Sequence, residues 1–306
     1  MKVLEDIFVA HRDKRFIFVQ PGGNWGDYLI YFGLECLAKK LNLSYTSLAL
    51  KDFLTYEINP GEVVYIHGGG AFNSWSSDSG FRALEHATAS SASEVIYGPC
   101  TSSEDIDFLN EKFKKTQKNN RKFFLFAREH KTLSTFNRLD SLANVANILI
   151  DVDTAFHSTK SDLLNLAGPE QKKYTLFGYR HDKEESGLTY QVTPQFLLID
   201  PPNFAKSFAH WVRLHSHARG IITNRTHSSI VGAILGKPTK LFDNSYHKNR
   251  SIWEYSLSEK GVSWIDAEQA GSLVKSSGIY KMLPSAFLKS WKVNAFSRKI
   301  RGIPES

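Results

Sequence analysis

Ile221-Ile222-Thr223-Asn224-Arg225-Thr226-His227, continued by Ser228-Ser229-Ile230-Val231-Gly232-Ala233-Ile234-Leu235-Gly236-Lys237-Pro238, is the stretch from which the fold is read. The apolar pair Ile221-Ile222 marks the end of a buried strand. Ile230, Val231, Ile234 and Leu235 then recur at helical spacing, and Thr223 or Asn224 is placed to cap that helix. Gly236 and Pro238 stop it, and residues 239–242 restart a short strand. Arg225 and His227 therefore fall where a strand ends and a helix begins, where free N–H groups and the helix dipole favour an anion. A guanidinium and an imidazole at such a turn suggest a phosphate or carboxylate site. A surface arginine and a capping histidine on an ordinary turn is the alternative.

The same layout recurs upstream. After a short amphipathic helix within residues 1–13, an apolar strand at 15–19 runs into Gln20-Pro21-Gly22-Gly23-Asn24-Trp25-Gly26-Asp27, with a helix expected over 28–41. The glycine spacing is not that of a dinucleotide fingerprint, and the Gly-Lys-Ser/Thr of a P-loop is missing. Asn24 and Asp27 lie near the helix start, where Asp27 also qualifies as a plain cap. A strand at 63–66 leads into His67-Gly68-Gly69-Gly70-Ala71-Phe72-Asn73, and three consecutive glycines exceed what a turn needs, which points to close approach of a ligand. Residues 94–97 form a further strand before a turn at Gly98-Pro99. The strand at 123–127 ends at Arg128, either a second anion contact or the partner of Glu129 or another nearby acid. Residues 147–153, ending in Asp153, read as the last strand of a first domain, and 154–168 as a connection. Strands at 174–180 and 196–200, a loop at 181–186 and a helix at 208–219 begin a second series. The fold class expected is α/β, with two Rossmann-like domains facing a cleft: residues 1–155, residues 156–284, and a basic helix at 285–306.

Composition narrows the function classes. The 306 residues are 42% hydrophobic and 23% charged, ordinary for a globular chain of two domains. No run is long and apolar enough to span a bilayer, and the first residues lack the apolar core of a secretory signal, so a cytoplasmic protein is expected. Cys36 and Cys100 are the only cysteines, and zinc-ligand spacings, repeats and a nucleophile elbow are absent, so no metal is expected. The net charge of +7 favours anionic partners. It is concentrated in Lys112, Lys114, Lys115, Lys118, Arg121 and Lys122, and in Lys289, Lys292, Arg298, Lys299 and Arg301. The stacking motifs of an RNA-binding sheet are missing, which argues against nucleic acid. The last helix also carries Phe287, Leu288, Trp291 and Phe296, so it is either a packed terminal helix or a peripheral contact with the inner face of a membrane.

Taken together, the Gly-Asn-Trp-Gly-Asp loop after the first strand, the His-Gly-Gly-Gly turn, the arginine ending a middle strand and the late Thr-Asn-Arg-Thr-His resemble the polysaccharide pyruvyl transferase family. Gly236-Lys237-Pro238 and Asp243-Asn244-Ser245-Tyr246-His247-Lys248 fit the same pattern, so the resemblance spans roughly residues 20 to 256. The chain departs from it at Thr226, where the family usually has leucine, and at Ser228, often glycine; an added hydroxyl there is a candidate to reach the ligand.

The resemblance implies a two-domain, GT-B-like enzyme that moves a pyruvyl group from phosphoenolpyruvate onto two hydroxyls of a sugar, giving a cyclic ketal, in the making of a surface polysaccharide. Phosphoenolpyruvate is then a donor substrate, and no cofactor is implied. Arg225 and Arg128 would supply fork-shaped cations for its carboxylate and phosphate. His227 is the expected general acid or phosphate-stabilising group. Asp27 and Asp153 are candidate bases for the sugar hydroxyls. Asn24, Gly26, His67 and Gly68, Gly69 and Gly70 would shape the acceptor side in the first domain. Asn244 and Lys248 would add donor contacts in the second. The acceptor is open between a free glycan and a lipid-linked oligosaccharide. Two competing readings are a nucleotide-sugar-dependent GT-B glycosyltransferase and a non-catalytic glycan-binding protein.

Overall fold

The computed structural model describes residues 3–75, 78–116, 121–180, 196–266 and Gln269. Lys118, the loop expected at 181–186 and the basic helix expected at 285–306 lie outside the described residues. The chain forms two compact units, one of Met1–Gly23 and Asp27–Ser158, the other of Asn24–Gly26 and everything from Thr159 onward. The passage between them falls after Ser158, against an expected boundary after residue 155, and Asn24–Gly26 goes with the second unit rather than the first.

In the first unit the elements run α1 (Val3–Ala10), β1 (Arg15–Gln20), α2 (Trp25–Lys40), β2 (Ser44–Ala49), α3 (Leu50–Phe53), β3 (Val63–Ile66), β4 (Gly69–Phe72), α4 (Ser79–Ala89), β5 (Glu94–Ser102), α5 (Ile106–Thr116), β6 (Phe123–Ala127), α6 (His130–Phe136) and β7 (Ala146–Ile150). The strands form a seven-stranded sheet in the order β2-β1-β3-β5-β6-β7, with β4 beside β5. All pairings are parallel. Parallel sheets bury both faces, so their strands read as continuous apolar runs. In β1, Ile17 and Val19 pack on one face with Val64, Ile66, Val95 and Tyr97. Phe16 and Phe18 pack on the other with Val63, Tyr65 and Ile96. Each fully buried side chain of this kind contributes about 1.5–3 kcal/mol.

Several expectations are corrected here. Helix α2 begins at Trp25, so Trp25, Gly26 and Asp27 form its first turn and are not loop. The glycine-rich turn after β3 contains the short strand β4. Strand β5 runs through Gly98 and Pro99 to Ser102, and its pairing with β6 shifts register between Tyr97 and Cys100, which accommodates the proline. The connection at 154–168 holds a 3-10 turn, Thr154–His157, and the helix α7 (Lys160–Ala167), whose start is a reciprocal cap between Thr159 and Asp162.

The second unit continues with β8 (Tyr174–Gly178), β9 (Phe196–Ile199), α8 (Pro201–Phe204), α9 (Phe208–Ser216), β10 (Ala218–Thr223), α10 (Thr226–Ile234), β11 (Thr239–Leu241), α11 (Lys248–Ile252) and β12 (Val262–Trp264). Its five-stranded sheet has the order β12-β11-β10-β8-β9, again parallel throughout. Tyr174, Leu176, Leu197, Ile199, Leu214, Ala218 and Ile221 form a common core. No helix among the described residues is long and apolar enough to cross a membrane.

Each sheet has one place where strand order reverses. In the first, the chain steps outward from β1 to β2 and returns on the other side of β1 as β3. In the second it steps from β8 to β9 and returns beside β8 as β10. Open α/β sheets bind ligands outside the carboxyl ends of the strands at such reversals.

Candidate active site

At the reversal of the second sheet, Thr223 ends β10, and Asn224 and Arg225 follow it directly. Helix α10 starts at Thr226, and its N-cap is Arg225, with no side-chain cap. The two residues expected to cap it do something else. The Thr223 hydroxyl donates to Gly178 O at 2.6 Å and accepts the Arg225 N–H at 2.9 Å. The Asn224 Oδ1 accepts the Arg180 N–H at 2.9 Å. Both side chains thus tie β10 to the end of β8. Asn249 fixes the turn from the other side, its Nδ2 donating to Asn224 O at 2.8 Å and Phe242 O at 3.0 Å.

Arg225 is 8% exposed, and its fork is engaged: Nε donates to Asp200 Oδ1 at 2.8 Å and Nη2 to Asp200 Oδ2 at 2.5 Å. Asn203 Nδ2 donates to the same Oδ2 at 2.7 Å. This contact takes two of the five guanidinium donors and fixes the plane of the group. Asp200→Ala would strand a buried cation and is expected to cost about 3 kcal/mol. Asp200→Asn keeps one acceptor and is expected to cost less. Urea midpoints of the two variants check this, and equal midpoints for Asp200→Ala and wild type would show that the pair contributes nothing.

His227 sits on the first turn of α10, partly buried. Its ring packs on Gly26 of the same unit, where an added Cβ would lie 2.6 Å from Nδ1, so position 26 admits no side chain without moving the imidazole. Asn24 Oδ1 accepts the Gly26 N–H at 2.8 Å, and Trp25 Nε1 donates to Ala205 O at 3.1 Å. Asn24 and Gly26 therefore stand with His227, while Asp27 belongs to the first unit.

The hydroxyls of Thr226 and Ser228 do not turn toward a ligand. Thr226 donates to Asn249 Oδ1 at 2.6 Å. Ser228 Oγ lies 3.0 Å from Nε2 of His215, whose Nδ1 is 2.8 Å from Trp211 O. Burial pushes the His215 pKa down to about 4, so the ring is neutral, donating from Nδ1 and accepting from Ser228. Asn244 Oδ1 accepts the Asn249 N–H at 3.3 Å, and Lys248 Nζ lies over the Tyr246 ring at 5.2 Å. Both are almost fully buried, and Lys248 is the first residue of α11.

At the reversal of the first sheet, Asp27 lies between the Gly23 and Gly69 backbones. An added Cβ at Gly69, which has φ of 137°, would lie 3.4 Å from Asp27 Oδ1. Gly23 is filled from the other side by the Asp27 carboxylate. Tyr31 donates to Gly22 O at 2.6 Å and holds the loop. Burial, then the nearby Asp27 charge, raises the phenol pKa, keeping it a donor. His67 is fully buried, packed on Tyr31 at 4.5 Å and Tyr65 at 5.3 Å between ring centroids. Neither of its nitrogens has a hydrogen-bond partner among the described residues, and burial pushes its pKa down to about 3. It is a neutral group and not an anion contact. The glycines divide their tasks: Gly68 lies against the Pro99 backbone, where a Cβ would come 1.9 Å from the carbonyl oxygen, so its close approach is to β5 and not to a ligand. The Gly70 carbonyl accepts from Asn73 Nδ2 at 2.9 Å.

Arg128 and Asp153 are taken up by one another. Arg128, 2% exposed, donates from Nη1 to Asp153 Oδ2 at 2.7 Å and from Nε to Thr101 Oγ1 at 2.8 Å. Asp153 Oδ1 accepts the Ala155 N–H at 3.0 Å. Glu129 caps α6 instead of pairing with Arg128. Asp153 is therefore a poor base, its oxygens being engaged and its side chain buried.

Sequence reasoning overlooked Arg180, Asp200 and Asn249. Arg180 follows the apolar run of β8 much as Arg128 follows β6, a signal that was available. Asp200 falls at the end of the strand read over 196–200, before Pro201-Pro202, and nothing local points from it to Arg225. No cluster of His, Cys, Asp and Glu among the described residues has the arrangement to hold a metal ion.

Parallel sheets with polar and glycine-rich turns at their reversals define an α/β scaffold of the kind that binds ligands outside its strand ends. The chain belongs to the polysaccharide pyruvyl transferase family, whose model matches residues 6–246. Membership indicates a transferase acting on a sugar acceptor. Among solved structures, a functionally uncharacterised protein of Klebsiella pneumoniae subsp. pneumoniae NTUH-K2044 shares the fold with a TM-score of 0.64 at 19% identity, over 86% of this chain and 97% of that one. No curated protein matches the sequence.

Proposed function

We propose that the protein transfers the pyruvyl group of phosphoenolpyruvate to two hydroxyls of one sugar residue, forming a cyclic ketal during synthesis of a cell-surface polysaccharide, as an enzyme of the GT-B class. The observation that carries this reading is the pairing of Arg225 and His227 at the N-terminus of α10, beside the reversal of the second sheet. The helix N-terminus and the Arg225 guanidinium would meet the donor's anionic groups. His227 would protonate the methylene carbon, making C2 electrophilic. The first sugar hydroxyl adds to C2 and gives up its proton, phosphate leaves, and the second hydroxyl closes the ketal with loss of its own proton. Of the two carboxylates considered, Asp27 is kept as the base, because it is only partly buried while Asp153 is bound to Arg128. A lipid-linked acceptor at the inner face of a membrane remains part of the proposal.

The test is a thermal melt with phosphoenolpyruvate on wild type and on Arg225→Ala. A donor bound at 100 times its Kd should stabilise the wild type by about 2.7 kcal/mol and leave the variant unmoved. Stabilisation by UDP or GDP, with none by phosphoenolpyruvate, would transfer the assignment to a nucleotide-sugar glycosyltransferase.

A further inference from the structure

We propose that Asn224 is a binding residue of the donor site, giving a hydrogen bond from its side-chain nitrogen to an anionic oxygen of the ligand; this deepens the pyruvyl-transfer reading and rests on it. The residue type suits a helix cap, yet no side chain caps α10. Asn224 is fully buried. Three of its polar atoms are taken. The backbone N–H donates to Gly178 O at 3.3 Å, the backbone O accepts from Asn249 Nδ2 at 2.8 Å, and Oδ1 accepts the Arg180 N–H at 2.9 Å. The fourth, Nδ2, has no hydrogen-bond partner among the described residues. A backbone N–H can only donate, so the amide oxygen must face Arg180 and the group cannot be turned over. Nδ2 is thereby held as a donor, directed away from that N–H. Burying such a donor without an acceptor costs free energy that an oxygen on a ligand would recover.

Topology puts this donor in the crevice. The second sheet reverses between β8 and β10, and the Asn224 carboxamide reaches from the turn after β10 to Arg180, just past β8. It therefore spans the strand ends where an open α/β sheet takes its ligand. Two features make a negative acceptor the expected one. Helix α10 begins two residues on with no side-chain cap, so its dipole and first N–H groups favour an anion there. Arg225, next in sequence, bonds Asp200 and so links the turn after β10 to the one after β9, on the far side of β8. A neutral carboxamide suits this place, because it adds a donor and no charge of its own. An aspartate of the same shape would keep the bond to Arg180 and set a negative oxygen against the ligand.

Titration calorimetry of wild type, Asn224→Asp and Asn224→Ala with phosphoenolpyruvate, pyruvate, inorganic phosphate and UDP tests the proposal, beside melting temperatures of the free proteins. Asn224→Asp is expected to weaken phosphoenolpyruvate about a hundredfold or more, and Asn224→Ala about tenfold. The free proteins should rank the other way. Asn224→Asp keeps an acceptor for Arg180 and gains a charge that the helix N-terminus favours, so it melts above Asn224→Ala. Damage to the fold alone would lower affinity and melting temperature in the same order. A loss shared with inorganic phosphate assigns the contact to the donor's phosphate, and one shared with pyruvate to its carboxylate. Phosphoenolpyruvate bound within about threefold of wild type by Asn224→Asp, or within about twofold by Asn224→Ala, overturns the contact and leaves pyruvyl transfer standing. Wild type that binds UDP and not phosphoenolpyruvate, with the UDP lost in Asn224→Asp, upholds the contact and sinks pyruvyl transfer. Wild type that binds none of the four overturns the contact.

Discussion

His227→Ala is expected to lower kcat for pyruvyl transfer by a factor on the order of 10²–10⁴ while leaving the KM for phosphoenolpyruvate within about threefold of wild type. The side chain is only partly buried on the first turn of α10 and belongs to none of the apolar cores, so melting temperature should change little. The imidazole is placed by Gly26, against which it packs, and by the backbone turn that Thr223 and Asn249 secure. Those supports survive the substitution, so lost turnover would report lost proton transfer and not a lost site. Phosphate release measured with a sugar acceptor reads the effect. Full turnover by the alanine variant would remove His227 from the acid role and leave Arg225 as an anion anchor alone.

Gly68→Ala is expected to destabilise the protein by about 3 kcal/mol or more, with a matching fall in soluble yield. The methyl group would be driven to 1.9 Å from Pro99 O and 2.5 Å from Pro99 C, both backbone atoms of β5 that cannot swing aside. Gly61→Ala is the control, since nothing lies within 4 Å of the added atom. It should be neutral or slightly stabilising. A Gly68→Ala protein that melts within about 2 °C of the control would mean that the turn at Gly68 does not meet β5 there.

The core was legible because parallel strands announce themselves. The run Phe16-Ile17-Phe18-Val19 admits few readings, and the glycine-rich turns after β1 and β3 fall at the reversal where a ligand loop belongs. Strand β2 escaped notice because it is an edge: Ser44, Thr46 and Ser47 face partial or full solvent and break the apolar signal. The site was readable in residue type and misread in use. Thr223 and Asn224 have the chemistry of caps, yet their partners Gly178 and Arg180 lie 45 and 44 residues away, beyond any local rule. Arg128 and Arg225 each find a carboxylate 25 residues distant in sequence, and only the folded sheet brings the charges together. Composition says that cations are present but not that these two arrive already paired.

The first turn of α10 also bears on how such a sequence drifts. Residues 226 and 228 turn inward to Asn249 and His215, and Arg225 and His227 occupy the alternate positions. Changes at the inward pair therefore register as repacking between helices and strands, invisible to whatever binds at the turn. A relative with glycine at position 228 has no hydroxyl to offer a histidine at 215, so the two positions should vary together, as should 226 and 249. Divergence within this motif is then a record of how the helix is seated. It carries little information about what the enzyme acts upon.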